Sequence, residues 1–314
     1  MNAATGQSGA ALATTTPTTA AAGEWEDLVA EVAARVGSTR EARWIVEHVI
    51  ADVRTGGRPT SPRVAAMEMA DRRATGEPLQ YVFGTWPFRS LELAVDRRVL
   101  IPRPETEQVV EIALAELARI AEARSVNDRP LICVDLGTGS GAIALALASE
   151  GAPAGRPIEV WATDASADAL DVARSNRDTL AATDPVAAGR VTFVEGSWFD
   201  ALPDRLARRV DLIVSNPPYV AEEEYDDLDP VVRDWEPRRA LIAPRGRNGV
   251  AGMADVEAVV AGSPTWLAQS GVLVVELAPA QAYGAIDAAR RAGLSRVETA
   301  YDLAGRLRML VAER

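Results

Sequence analysis

Between residues 131 and 148 the chain reads Leu131-Ile132-Cys133-Val134-Asp135-Leu136, then Gly137-Thr138-Gly139-Ser140-Gly141, then a helical stretch from Ala142 to Ala148. A strand-forming run that stops in a glycine loop and restarts directly as a helix is the opening of a nucleotide-binding α/β fold. Glycines let the backbone come close to a ligand, and the helix start offers amide N–H groups without intrahelical partners. A second strand, Ile158 to Thr163, ends in Asp164, 25 residues after Gly139, where a carboxylate can accept both hydroxyls of a ribose. An acid at a strand end can also merely cap the next helix, here Ala167 to Leu180.

The glycines fit two ligands. Gly137, Gly139 and Ala142 match a weak dinucleotide fingerprint, which keeps a dehydrogenase open. Asp135 placed two residues before Gly137 instead gives D-x-G-x-G-x-G, the form familiar in S-adenosylmethionine sites, where the acid can approach the methionine amine. No histidine lies downstream to move a proton to or from a carbonyl, since the single histidine, His48, sits in an N-terminal helical segment. Arg190 to Ser197 reads as a third strand, and of Trp198-Phe199 after it one aromatic can lie along an adenine or belong to the core.

A further strand, Val210-Asp211-Leu212-Ile213-Val214-Ser215, runs into Asn216-Pro217-Pro218-Tyr219. Prolines lack the ladder donor and fix φ near −65°, so the strand ends in a stiff polar loop. The Asn216 amide, the Pro217 carbonyl and the Tyr219 ring are then held together at little entropic cost and can grip a planar amide or amino group. The plain alternative is a turn that does no more than stop the strand.

Composition narrows the classes. The 314 residues include 33 basic side chains, all arginine, against 45 acidic ones, a formal charge of −12 that disfavours nucleic acid as the main partner. With one cysteine there is no intrachain disulfide and no multi-cysteine zinc site, and Cys133 in its apolar run reads as a core thiol. Residues 1–23, rich in Ala and Thr and uncharged before Glu24, read as a disordered tail without the features of a secretory signal. No 18-residue apolar stretch follows, and the expected location is cytoplasmic.

Residues 24–78 read as a small helical domain. Trp25, Leu28, Val29, Val32 and Val36 set one helix. A second starts after Ser38 with Glu41 completing a capping box, and after the turn Pro59-Thr60-Ser61-Pro62 a third runs to Ala74. Residues 79–101 read as a connecting hairpin, with Leu91, Leu93 and Val95 on one strand, a turn at Asp96-Arg97, and Val99 to Ile101 returning. Pro102-Arg103-Pro104-Glu105-Thr106-Glu107 opens another helix, its acids suited to the positive end of the dipole. Strands over Gly271 to Leu277, Arg296 to Tyr301 and Leu307 to Ala312, with a helix over Ala280 to Ala292, complete an α/β domain over 102–314.

Taken with Gln80-Tyr81-Val82-Phe83-Gly84, Leu100 to Glu107, Asp135 to Ile143, Trp198-Phe199 and Asn216 to Tyr219, the chain closely resembles the peptide-chain release factor glutamine methyltransferases over most of residues 24–314. Asn-Pro-Pro-Tyr alone is shared with adenine methyltransferases; the Pro-Arg-Pro-Glu-Thr-Glu segment is the selective part. The resemblance implies a class I S-adenosylmethionine-dependent methyltransferase, Rossmann-like, with a seven-stranded, mostly parallel sheet and an N-terminal helical domain that helps dock the release factor. It implies that Asp135, Gly137, Thr138, Gly139, Ser140 and Gly141 hold the methionine part of the cofactor, Asp164 the ribose and Trp198 the adenine, with Asn216 beside the cofactor. The Asn216 side-chain oxygen and the Pro217 carbonyl would accept the hydrogens of a glutamine amide in a Gly-Gly-Gln motif, with Pro218 and Tyr219 against it. The product would be S-adenosylhomocysteine, and the partners class I release factors.

Ser197 and Leu307 stand where aspartates are usual in that family. Eight acids and only Arg233 lie between Ala221 and Glu236, a segment that reads either as a solvated loop or as a surface attracting a basic protein. Rival activities are glutamine methylation of a ribosomal protein and N6-adenine methylation of nucleic acid; a cofactor-binding scaffold without activity is a rival of another kind.

Overall fold

In a computed structural model of the chain, the structure describes residues 19–54, 61–124, 129–152, 156–247 and 249–314. The chain divides into two compact units, Met1–Leu79 and Gln80–Arg314.

The first unit contains helices Thr19–Val36, Thr39–Arg54 and Pro62–Ala74. The first helix starts five residues before Glu24, because Ala20, Ala21 and Ala22 are the best helix formers and extend it backwards; residues 1–18 of the expected tail, and Pro59 and Thr60 of the expected turn, lie outside the described residues. The Ser38 hydroxyl accepts from the Glu41 N–H at 3.3 Å, as the cap requires. The Glu41 carboxylate does not return to close a capping box; it takes a two-pronged contact from Arg73 at 2.9 and 3.1 Å, tying the second helix to the third. Pro62 opens the third helix from an extended Ser61 whose side chain makes no cap.

A short helix, Leu79–Phe83, carries the chain into the second unit, which continues with a hairpin of Thr85–Phe88 against Leu91–Ala94. The expected register is corrected here: the turn falls at Arg89-Ser90, with Arg89 at φ 53°, and Val99 to Ile101 form no strand. Residues 95–101 are drawn off by other partners. Tyr81 Oη donates to the Val99 carbonyl at 2.6 Å, Arg97 lies 4.9 Å over the Trp235 ring, and the Ile101 N–H donates to Glu236 at 3.0 Å. Val95, Val99 and Ile101 are still buried, so the apolar alternation marked burial correctly while the pairing went elsewhere.

Seven strands form the main sheet: β1 Leu131–Leu136, β2 Ile158–Asp164, β3 Val191–Glu195, β4 Val210–Ser215, β5 Leu267–Glu276, β6 Ser295–Tyr301 and β7 Leu307–Glu313. Their spatial order is β3-β2-β1-β4-β5-β7-β6, parallel except where β7 runs antiparallel to both β5 and β6. Every residue of β1 and β4 is buried, which explains their continuous apolar runs: the sheet is covered on both faces. Leu131 and Cys133 face a cluster that includes the helices Pro104–Glu122 and Ala142–Glu150. Ile132, Val134 and Leu136 face the opposite cluster, with Ala254–Trp266 and Ala282–Arg291. The helix Ala254–Trp266 adds an element to those expected, with Val256, Val259 and Val260 carrying its spacing.

From β1 the chain builds outward through β2 and β3, then returns to lay β4 on the other side of β1. This reversal opens a crevice at the carboxyl ends of β1 and β4, the standard ligand position in open α/β sheets. At the other end of β4, Asp211 is wholly buried and held by Arg124 and by Arg129 at 2.7 Å, and it accepts the Ile132 N–H at 2.8 Å. Asp211→Ala leaves two guanidinium groups without their shared anion and should cost about 3–5 kcal/mol in urea unfolding; a loss below about 1 kcal/mol would contradict this account of the β1–β4 junction.

Candidate active site

The two loops singled out by sequence leave adjacent strands side by side. The Ser215 hydroxyl donates to the Leu136 carbonyl at 2.8 Å, fastening the end of β4 to the end of β1. Gly137, Gly139 and Gly141 all take left-handed φ values, 74°, 56° and 84°, so this loop requires glycine at three alternate positions. At Gly137 a Cβ would also come within 3.3 Å of the Trp198 ring.

A cavity of about 300 Å³ opens above these loops. Gly137, Gly139, Asp164, Trp198, Asn216 and Pro218 line it, so the expected ribose carboxylate, the adenine aromatic and the Asn216 part of the amide grip share one space. Asp164 is oriented by the loop itself, its Oδ2 accepting the Gly139 N–H at 2.9 Å and its Oδ1 the Ser166 N–H at 2.8 Å. The reading of this acid as only a helix cap is thereby set aside: Ser166, two residues on, caps the following helix by accepting from Ala169.

Asp135, Thr138, Ser140, Gly141, Pro217 and Tyr219 lie outside the lining. Asp135 is completely buried, its Oδ2 accepting the Thr138 hydroxyl at 2.6 Å and the Ala144 N–H at 3.1 Å, so it holds the glycine loop onto the helix behind it. Its Oδ1 is buried with no hydrogen-bond partner. Burial pushes its carboxyl up to about 7, against the pull of the Thr138 and Ala144 bonds. Ser140 lends its carbonyl to Asn176, which also brackets both backbone groups of Ala94 and so joins the hairpin to the loop.

The aromatic pair divides. Trp198 stands in the cavity wall, while Phe199 stacks in the core on Trp266 at 6.1 Å and 6°. Arg98, Val99, Leu100, Arg239 and Asp255 also line the space, and the sequence reading gave them no role. The Ser197 position lies in the wall as well.

In the polar loop, Pro217 is buried and Asn216 is part-buried. Asn216 Nδ2 donates to the Thr106 hydroxyl at 3.1 Å, and that hydroxyl donates to Glu276 at 2.8 Å. Thr106 belongs to Pro102–Glu107, so the selective hexapeptide reaches the loop directly. Its other anchor is Glu236, whose carboxylate takes the Arg103 guanidinium and the Ile101 N–H. Tyr219 is fixed from behind: Gln281 Nε2 donates to its carbonyl at 2.9 Å, and Gly252, at φ 65°, is so close that a Cβ would lie 2.2 Å from that oxygen. Burial pushes the Tyr219 phenol up to about 12, so it stays neutral. Glu276 and Gln281 were missed by sequence. A carboxylate closing the apolar run of β5 was their one visible sign.

The acidic segment is largely bonded within the protein. Glu222 pairs with Arg238 and Glu223 with Arg245, beyond the segment's end. Glu224 accepts from the Ala221 N–H, Asp229 from the Val231 N–H, and Asp234 from Arg233. Glu236 is buried in the loop anchor described above. Seven of the eight acids are nevertheless exposed and only Glu236 is buried, so the segment is a solvated loop whose charges are partly paired.

Asp135 generates a test. Its unfolded pKa is ~3.9 and its folded value is raised, so between about pH 4 and pH 7 the native state binds the extra proton and stability falls as pH rises. The Asp135→Asn protein should gain stability relative to the parent as pH goes from ~5 to ~8, measured by urea unfolding of both. An unchanged difference would contradict the buried, raised carboxyl.

The chain matches the methyltransferase small domain family over residues 124–231. It is 39% identical over 272 residues to the release factor glutamine methyltransferase of Bordetella pertussis, covering 84% of this chain and 91% of that protein. The protein of the same name from Rhodopirellula baltica is 38% identical over 251 residues, covering 79% and 77%. That of Chlorobaculum tepidum is 43% identical over 206 residues, and this chain spans 64% of its length. With identities of this size across most of both sequences, on a sheet order and a two-loop site of the expected kind, the chain belongs to the release factor glutamine methyltransferase family.

Proposed function

We propose that this protein transfers a methyl group from S-adenosylmethionine to the side-chain amide nitrogen of the glutamine in the Gly-Gly-Gln motif of class I release factors. The observation that carries the reading is the polarity of Asn216: its Nδ2 is committed to Thr106, which leaves Oδ1 as the group available to a ligand. A part-buried acceptor, followed in the chain by the Pro217 carbonyl, suits a primary amide, which offers two N–H donors. S-adenosylmethionine, when bound, supplies an electrophilic methyl on a sulfonium.

The residues fit that cofactor. The Asp135 Oδ1 is a buried acceptor without a partner beneath the glycine loop, suited to an ammonium group close by. Asp164 keeps unshared lone pairs toward the cavity for ribose hydroxyls, and the Trp198 ring offers an apolar wall for an adenine. Among the described residues no group of His, Cys, Asp and Glu could hold a metal.

An amide nitrogen is a weak nucleophile because its lone pair is delocalised. Two fixed acceptors hold both N–H bonds and aim the nitrogen at the methyl, and positioning of this kind contributes several kcal/mol of the roughly 7–11 available from proximity. As the N–C bond forms and the S–C bond breaks, sulfur leaves as a neutral thioether and the nitrogen then releases a proton to solvent. Tyr219, kept neutral, packs against the amide and adds no charge.

Release factors place the reaction in the cytoplasmic translation machinery, and no helix among the described residues is long and apolar enough to cross a membrane. We assign docking of the release factor to the helical unit, residues 24–78, with residues 79–101 connecting it to a catalytic domain over 102–314. Incubation with methyl-labelled S-adenosylmethionine and a class I release factor should label the protein substrate. Asn216→Ala should lower the rate at least about a hundredfold, the scale for losing one directed hydrogen-bonding group, with cofactor affinity within about threefold of the parent. Turnover retained in that variant would contradict the role given to Asn216.

A further inference from the structure

The register pairs Ser215 with Val275, so Asn216, the residue just past β4, and Glu276, the last residue of β5, follow one another at the ends of adjacent strands. Thr106, in the first turn of the helix Pro104–Glu122, sits between them. The three side chains form one line: Asn216 Nδ2 to Thr106 Oγ1 at 3.1 Å, then Thr106 Oγ1 to Glu276 Oε2 at 2.8 Å. Glu276 is 1% exposed and Thr106 4%, so solvent does not compete for these bonds.

A hydroxyl has a single proton. An ionised carboxylate only accepts, so beside Glu276 the Thr106 proton must point to the carboxylate. Thr106 is then obliged to accept on its other side, and the only part of the Asn216 amide that can donate is Nδ2. We infer that Glu276 and Thr106 are positioning residues that fix which way round the Asn216 amide stands, and so make the site an acceptor at the nitrogen to be methylated. This rests on the glutamine-amide reading above. Without the line, a half-turn of the amide would aim Nδ2 at the substrate N–H groups, opposing donor with donor.

The line also responds to protonation. With a proton on Glu276, the carboxyl can donate to Thr106, which frees the Thr106 proton to bond Asn216 Oδ1 and invert the amide. Burial pushes Glu276 up to about 7; Arg308 and Arg103 hold it down and Glu105 raises it, with the neutral Tyr219 phenol also facing it. The reaction rate should therefore fall as pH drops through neutrality.

The test is steady-state kinetics on a Gly-Gly-Gln substrate with Thr106→Val, Thr106→Ser and Glu276→Gln. Thr106→Val keeps the shape and removes the hydroxyl; kcat should fall on the order of a hundredfold, the size of effect from small misplacement of a reacting group, with cofactor affinity unchanged. Thr106→Ser restores the hydroxyl and should return kcat to within about threefold of the parent. Glu276→Gln cannot titrate, so the acid-side fall in kcat should disappear. A Thr106→Val enzyme with parental kcat, or a Glu276→Gln enzyme that keeps the acid-side fall, overturns the inference while leaving the methyltransferase reading in place. A parent protein that methylates no glutamine overturns both.

Discussion

The site depends on one backbone constraint: β1 and β4 lie side by side and parallel, although the chain travels through β2 and β3 between them. Their carboxyl ends therefore open into the same crevice. The loop that needs three left-handed glycines and the loop stiffened by two prolines meet there, with the Ser215–Leu136 hydrogen bond closing the seam. Neither loop makes a site alone.

Around that seam the protein uses buried polar groups to orient and not to react. Asp135 pins the glycine loop to its helix, Asp164 is set by the Gly139 N–H, Glu236 anchors the Pro-Arg-Pro segment, and Gln281 holds the Tyr219 carbonyl. Such groups are costly to bury unless bonded, and these bonds fix the segments around the cavity. A reaction that needs an amide held still, with no general base, is consistent with a site whose titratable side chains serve mostly as scaffolding.

Local pattern made much of this legible in the sequence. The observed β1 matches its apolar run residue for residue, the glycine loop and the proline loop interrupt their strands where backbone chemistry requires, and Asp164 closes β2. What stayed hidden depends on distant partners. The Thr106–Glu276 bond joins residues 170 apart, and a carboxylate after Val275 carries no local sign of its partner. The hairpin was misplaced because Asp96-Arg97 has the chemistry of a turn, while the actual turn uses Arg89 in a left-handed conformation that arginine seldom adopts. The acid-rich segment is solvated as its composition suggests, but its partners Arg238 and Arg245, which pair with Glu222 and Glu223, lie outside its boundary and leave no sign within it.

The central claim is that the acceptor geometry at Asn216 and Pro217 selects a glutamine amide. Peptide mass spectrometry of a class I release factor after incubation with this protein and S-adenosylmethionine tests it most directly. One added methyl on the side-chain nitrogen of the Gly-Gly-Gln glutamine is the result expected. Methyl incorporation into nucleic acid adenine, with that glutamine unmodified, would contradict it.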